Sequence, residues 1–110
     1  MNKIETISII TPCKNAGRFL SDTLELLYQQ TALKKQRVLM EHIIVDGDSI
    51  DNTSAILSEF PASSVICEKD SGMYDAVAKG LKIAKGDIIG YLNAGDILFP
   101  WAFDVLIDIF

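Results

Sequence analysis

The residues in this sequence equipped to do chemistry fall in four short polar clusters, each after an apolar run. They are Thr11, Pro12, Lys14 and Asn15; Asp46, Asp48 and Ser49; Glu68, Asp70 and Ser71; and Asn93 with Asp96. Carboxylate, amide and hydroxyl oxygens are hard ligands, suited to Mg²⁺ or Mn²⁺. The same groups accept hydrogen bonds from a nucleobase or a sugar hydroxyl. No Cys–His spacing suggests zinc. The lone His42 lies inside an apolar stretch and reads as a packed strand residue. Cys13 and Cys67, near the ends of two predicted strands, read as reduced thiols.

Charge narrows the choice of ligand. Fifteen acidic and ten basic residues give a net charge of −5. That balance argues against nucleic acid, whose readers carry a basic face. It also means that a phosphorylated ligand would meet carboxylates, so a cation is expected between them. A hydrophobic fraction of 49% and a charged fraction of 23% are those of a globular chain, not a disordered one. No apolar run approaches the roughly 18 residues that span a bilayer. The opening Met1–Thr6 stretch lacks the apolar core of a signal peptide, so the expected location is the cytoplasm.

Alternating elements must position the clusters. The apolar run Ile7–Ile10 reads as a strand stopped by Thr11-Pro12. Phe19, Leu20, Thr23, Leu24, Leu27 and Tyr28 then share one helical stripe. A polar link, Lys34–Arg37, leads to a strand at His42–Val45 that ends in Asp46-Gly47. Asp51 or Asn52 caps a short helix bearing Ala55, Ile56, Leu57 and Phe60, closed by Pro61. Ser64–Cys67 is a third strand. Met73, Ala76, Val77, Gly80, Leu81 and Ala84 make the clearest helix, with Asp70 or Ser71 as N-cap and Gly86 at C′. Asp87–Leu92 is a fourth strand, and Pro100 is placed as N1 of a last helix with Ala102, Val105, Leu106 and Ile109. Strand–helix alternation predicts one α/β domain over residues 1–110, with a mostly parallel sheet and helices on both faces. In such sheets ligands bind at the carboxyl ends of the strands, where all four clusters fall.

Four segments together resemble family 2 glycosyltransferases, of the Rossmann-like GT-A fold. Ile7-Ser8-Ile9-Ile10-Thr11-Pro12-Cys13-Lys14-Asn15 is similar to the family's opening strand, and Val45-Asp46-Gly47-Asp48-Ser49-Ile50-Asp51-Asn52-Thr53 resembles its second-strand motif, written VDDGSTDGT or VDGGSTDGT. Ser71–Gly80 is similar to the SGIYDAMNKG segment of a bacterial subgroup. Asp87–Asp96 looks like the strand leading into the DXD-type metal motif, in its LNAGD form. Two departures stand out: Gly47 replaces the family's second acidic residue, and Asp48 replaces a glycine.

The resemblance implies a nucleotide-sugar donor, in the usual case a UDP-sugar, with Mn²⁺ or Mg²⁺. It implies a wall of Thr11 and Pro12 for base and ribose, with Asn15 shaping the turn. Asp46 is expected to accept hydrogen bonds from the nucleoside. Asp75 is expected to contact ribose or donor-sugar hydroxyls, Asn93 the ribose or a metal-bound water, and Asp96 the metal. Lys79 reads as a solvated helix charge. The implied reaction is transfer of the sugar to a hydroxyl of a sugar or lipid-linked acceptor, as in bacterial surface-polysaccharide assembly at the inner face of the membrane. No catalytic base is named, because the family places it beyond the metal motif, past Phe110.

The last helix ends on apolar Phe110, and a four-stranded sheet stopping there would leave an edge exposed. Truncation is therefore expected, with self-association through the region of Trp101, Phe103 and Phe110. Two rivals stay open: an inactive nucleotide-binding or interaction fragment, and a nucleotidyltransferase. The second usually carries a Gly-rich basic loop after the first strand, whereas Thr11–Gly17 has one glycine.

Overall fold

Strand β1 (Thr6–Cys13) takes the centre of the sheet because both of its faces are apolar enough to be covered. Ile7, Ile9 and Cys13 pack to one side and Ile10 to the other, all at most 7% exposed. The computed structural model describes residues 3–110. The other strands are β2 (Leu39–Asp46), β3 (Ser64–Cys67) and β4 (Ile88–Tyr91). All pairings are parallel, in the order β3-β2-β1-β4. The chain thus builds outward from β1 to β3 and then returns to add β4 on the opposite side. That reversal puts a switch point between the carboxyl ends of β1 and β4, where neighbouring loops diverge and leave a crevice.

Among the described residues, five helices cover the two faces. On one lie α1 (Gly17–Tyr28), α2 (Thr31–Lys34), α3 (Thr53–Leu57) and α5 (Ala102–Ile109). Leu20, Leu24, Leu27, Ala32, Leu57 and Phe103 meet Ile7, Ile9 and Ile44 there. On the other, α4 (Met73–Leu81) brings Ala76 onto Ile10, Ile43 and Val45. This is the α/β architecture that the sequence predicts, with a parallel sheet and helices on both faces.

Several boundaries differ from the sequence expectations, each for a local reason. β1 runs through Thr11-Pro12 instead of stopping there. Leu92 donates to the Ile10 carbonyl and Gly47 to the Cys13 carbonyl, so even-numbered residues of β1 turn their backbone toward β4. Pro12, lacking an N–H, faces the side that β4 has already left, and the ladder loses nothing. Leading into the polar link is a short helix, α2, that periodicity did not show. Buried Gln30 precedes it, its Nε2 donating to the Leu26 and Phe99 carbonyls and its Oε1 accepting from Phe103. Phe19 leaves the predicted stripe and is 55% exposed.

Helix caps also differ. The α4 N-cap is Gly72, not Asp70 or Ser71, with φ +115°, a value that favours glycine. α4 ends at Leu81, and Gly86 serves close approach rather than a C′ turn. A Cβ there would lie 2.5 Å from Ser8 Oγ. Pro100 precedes α5 by two residues; Trp101 is the N-cap, and the Pro100 carbonyl accepts from Thr31. Phe103, expected on an exposed patch, is 1% exposed and belongs to the core. Trp101 and Phe110 are exposed as expected: Trp101 lines a groove of about 410 Å³ with Tyr91, Leu92, Leu98, Phe99, Val105 and Leu106, whereas Phe110 lies apart from it, near Ile4, Arg37 and Ile107. No helix among the described residues is long and apolar enough to cross a membrane.

Candidate functional site

At the switch point the structure holds a cleft of about 250 Å³. Pro12, Cys13 and Lys14 bound it from the end of β1, and Asn93 and Ala94 from the end of β4. Asp70, Gly72, Met73 and Ala76 close it from the β3–α4 connection. Three of the four clusters read from sequence thus converge on one opening, and the residues that carry them are far apart in the chain. Their proximity follows from parallel register, which brings Cys13, Asp46 and Cys67 level at the same edge.

The individual residues divide into lining and framework. Pro12 and Asn93 line the cleft. Thr11, predicted to share a wall with Pro12, is fully buried, and its hydroxyl is 2.8 Å from His42 Nε2. The exposed face at this point is Pro12, with Thr11 behind it. Asn15, at φ +49°, fastens two loops. Its N–H donates to Ser49 Oγ at 2.8 Å, and its Oδ1 accepts from Ile50 at 2.8 Å. Asp46 completes this tie. It is 2% exposed, and its Oδ1 accepts from both the N–H and the hydroxyl of Ser49. Its Oδ2 faces Cys67 Sγ at 3.7 Å, and the pocket it borders lies between β3 and α3, not in the cleft.

Asp75 and Asp96 also stand outside the cleft lining. Asp75 Oδ2 accepts from Ser71 N–H at 2.9 Å and pairs with Lys79 at 3.6 Å. The Ser71 bond, above the opposing effect of burial, holds its carboxyl below the usual range. Asp96 is exposed on the loop after β4. Its Oδ2 accepts from Asn93 N–H at 2.9 Å, and its carbonyl accepts from Thr23 Oγ1 at 3.0 Å. Asp96 therefore closes the turn that presents Asn93, while its Oδ1 makes no hydrogen bond among the described residues.

Sequence reading put Asp70 in the third polar cluster and offered it as a helix cap, but gave it no contact of its own with a ligand. Its Oδ1 accepts from Gly72 N–H at 3.0 Å. A Cβ built on Gly47 would meet Asp70 Oδ2 at 2.9 Å. The signal was present as the glycine that replaces an acidic residue at position 47, but only the fold shows which carboxylate fills that space.

The local field is negative. Cys13, at the floor of the cleft, has its thiol pushed up to about 12, first by burial and then by the charges of Asp46, Asp51 and Asp70. It stays protonated and is no nucleophile at neutral pH. Beneath it, burial drives His42 down to about 4. The neutral ring bridges Thr11 and, through Nδ1 at 2.7 Å, the Tyr28 hydroxyl. His42 is thus the packed residue expected, and a hydrogen-bonded one.

The negative rim tests the expectation of a metal. No group of three His, Cys, Asp or Glu residues among the described residues forms a cage. A hard divalent cation needs no cage when a diphosphate supplies ligands, since one or two carboxylates and water complete its shell. Asp96, with a free carboxylate oxygen, and Asn93 beside it fit that mode.

Known proteins share the family and the fold of this chain. The family model described as glycosyl transferase family 2 matches residues 8–110. An uncharacterized glycosyltransferase of Mycobacterium tuberculosis is 32% identical over 98 residues, covering 87% of this chain and 36% of that one. Among solved structures, Staphylococcus aureus TarS in complex with UDP superimposes with a TM-score of 0.79 at 21% identity, over 92% of this chain and 30% of TarS. The mannosyltransferase PcManGT from Pyrobaculum calidifontis, in complex with GDP-Man and Mn²⁺, gives 0.77 at 19%, over 99% and 32%. The chain spans about a third of the length of each.

Proposed function

The chain belongs to glycosyl transferase family 2, and on that premise we propose that it forms the donor-binding part of a sugar transferase, with the nucleoside diphosphate of a UDP-sugar in the cleft between β1 and β4. The observation that carries this is the convergence of Pro12, Asp70 and Asn93 on the switch-point crevice. Pro12 offers a rigid apolar wall to the nucleoside. Asp70 is placed to accept a hydrogen bond from a base N–H or a ribose hydroxyl. Asp46 and Asn15 hold the β1 and β2 loops together and so keep that wall in register. Asp75 acts on the site from behind, through Ser71.

Asp96, with Asn93, would hold the Mn²⁺ or Mg²⁺ that accompanies the donor. Bound there, the cation supplies charge neutralisation for the diphosphate leaving group, worth several kcal/mol in typical metal-assisted reactions. The acceptor is a hydroxyl on a sugar or lipid-linked sugar, in keeping with the bacterial subgroup that the Ser71–Gly80 segment resembles. General base catalysis needs a group within about 3 Å of the acceptor proton. Of the groups at the cleft, the Asp70 carboxylate is given to the donor, the Cys13 thiol is protonated and Lys14 is exposed, so this chain is assigned donor binding alone.

Calorimetry with UDP in the presence of Mn²⁺, against CDP and GDP, tests the reading. Micromolar or tighter binding of UDP with a preference over the other two supports it. No binding of any nucleoside diphosphate sinks it.

A further inference from the structure

Lys79 reads in the sequence as a helix surface charge, yet in the fold its ammonium has three acceptors. Nζ lies 2.9 Å from the Lys69 carbonyl, 3.1 Å from a Glu68 carboxylate oxygen and 3.6 Å from Asp75 Oδ2. Only 20% of the side chain is exposed. Two of these acceptors lie on the Glu68–Gly72 connection between β3 and α4, and the third sits one turn back along α4. The same connection carries Asp70 to the cleft.

Without a cation, this segment would be poorly held. Glu68, Asp70 and Asp75 put three carboxylates on one short stretch of chain, and like charges at close range repel. Its internal bonds run from Gly72 N–H to Asp70 and from Ser71 N–H to Asp75, both partly exposed to water. Gly72, at φ +115°, adds a backbone turn with many alternatives available to it. One ammonium that reaches Glu68, Asp75 and the Lys69 carbonyl offsets the repulsion and ties the loop to the second turn of α4.

We propose that Lys79 is a positioning residue for the cleft: it fastens the Glu68–Gly72 loop to α4 and thereby sets where Asp70 presents its carboxylate beside Gly47. The proposal deepens the nucleotide-binding reading, but its first test does not depend on that reading.

That test is amide hydrogen exchange on the nucleotide-free chain, in the wild type, Lys79→Met and Lys79→Arg. Charge-assisted hydrogen bonds are worth enough that exchange at Ser71 and Gly72 should quicken about tenfold in Lys79→Met. Amides of β1 and β2 should stay as they are, and Lys79→Arg should restore most of the protection. Unchanged exchange at Ser71 and Gly72, or an equal rise throughout the sheet, would overturn the proposal. If Lys79→Met does not fold, Glu68→Gln replaces it. That side chain is 59% exposed, and the same two amides should quicken, with no change there counting against the idea.

The second readout is UDP affinity with Mn²⁺. Lys79→Met and Asp70→Asn should each weaken it, and the double variant should do no worse than the poorer single one. Fully additive losses would show that Lys79 does not act through Asp70. If the wild type binds no UDP, the functional reading fails while the exchange result still decides the role of Lys79.

Discussion

The Asp70 carboxylate occupies the space that a side chain at position 47 would need: a Cβ on Gly47 would lie 2.9 Å from Oδ2 and 3.1 Å from Oδ1. The β2 loop therefore yields its acidic position to the β3–α4 loop. Since the obstructing atoms are the end of a flexible side chain, Gly47→Ala should fold with a stability loss below about 1 kcal/mol. Asp70 must turn aside, however, and UDP affinity should fall about tenfold, in line with loss of one hydrogen bond to a charged group. Gly47→Ala in an Asp70→Ala background should cost nothing further. Calorimetry on the three variants checks this, and full affinity in Gly47→Ala would refute it.

Metal dependence follows from the negative rim around Cys13 and from the free oxygen of Asp96. UDP binding should need Mn²⁺ or Mg²⁺, vanish with chelator, and weaken sharply in Asp96→Ala. Uridine carries no phosphate, and its binding should be indifferent to both changes. Titration of UDP and uridine with and without chelator measures the difference; UDP affinity that ignores chelator removes the metal from the site.

Asp46→Ala should behave in the opposite way. It removes the acceptor for Ser49 and loosens the tie to Asn15, so uridine binding should weaken even without metal. Because Asp46 is 2% exposed, the orphaned Ser49 groups should also lower stability by about 1–3 kcal/mol. Thermal unfolding and uridine titration read the two effects separately. An unchanged melting temperature would contradict the framework role.

His42 sets a pH dependence whose sign can be worked out. Burial lowers its folded pKa from the ordinary 6.5 to about 4. Between those values the unfolded chain binds more protons, so stability is fully present above about pH 6.5 and declines as pH falls toward 4. The loss should be on the order of 3 kcal/mol. An NMR titration of the His42 ring should show no midpoint above about pH 5. A midpoint near 6.5 would mean that the Thr11–His42–Tyr28 bridge is not formed.

Phe103 and Val105 separate core from surface on α5. Phe103→Ala should destabilise by about 3–5 kcal/mol. Val105→Asp, at a residue 46% exposed on the apolar groove, should leave stability nearly unchanged and reduce any self-association seen by light scattering. The chain alone should release no UDP from a donor in the presence of an acceptor. A monomeric wild type that turns over would contradict both expectations.

Strand identity and a parallel sheet were legible in the sequence because Ile7–Ile10, His42–Val45, Ser64–Cys67 and Asp87–Leu92 are apolar runs bounded by turn residues, and a parallel sheet buries such runs on both faces; the order β3-β2-β1-β4 was not. Asp46, Asn93 and Asp96 could likewise be placed at strand ends, since an apolar run fixes where its loop begins. Burial, partners and direction were decided by tertiary packing. Thr11 turns inward because β1 continues past Pro12 and His42 of the neighbouring strand takes its hydroxyl. Phe103 is core and Phe19 is surface because the loop after β4 is tied to Thr23 of α1 and the first turn of α5 to Gln30 before α2, contacts 72 or more residues apart in sequence. Asp70 and Lys79 gained their places in the same way. Local pattern records which residues favour a strand or a helix, whereas the space left by Gly47 and the acceptors gathered on one ammonium exist only once separate loops meet.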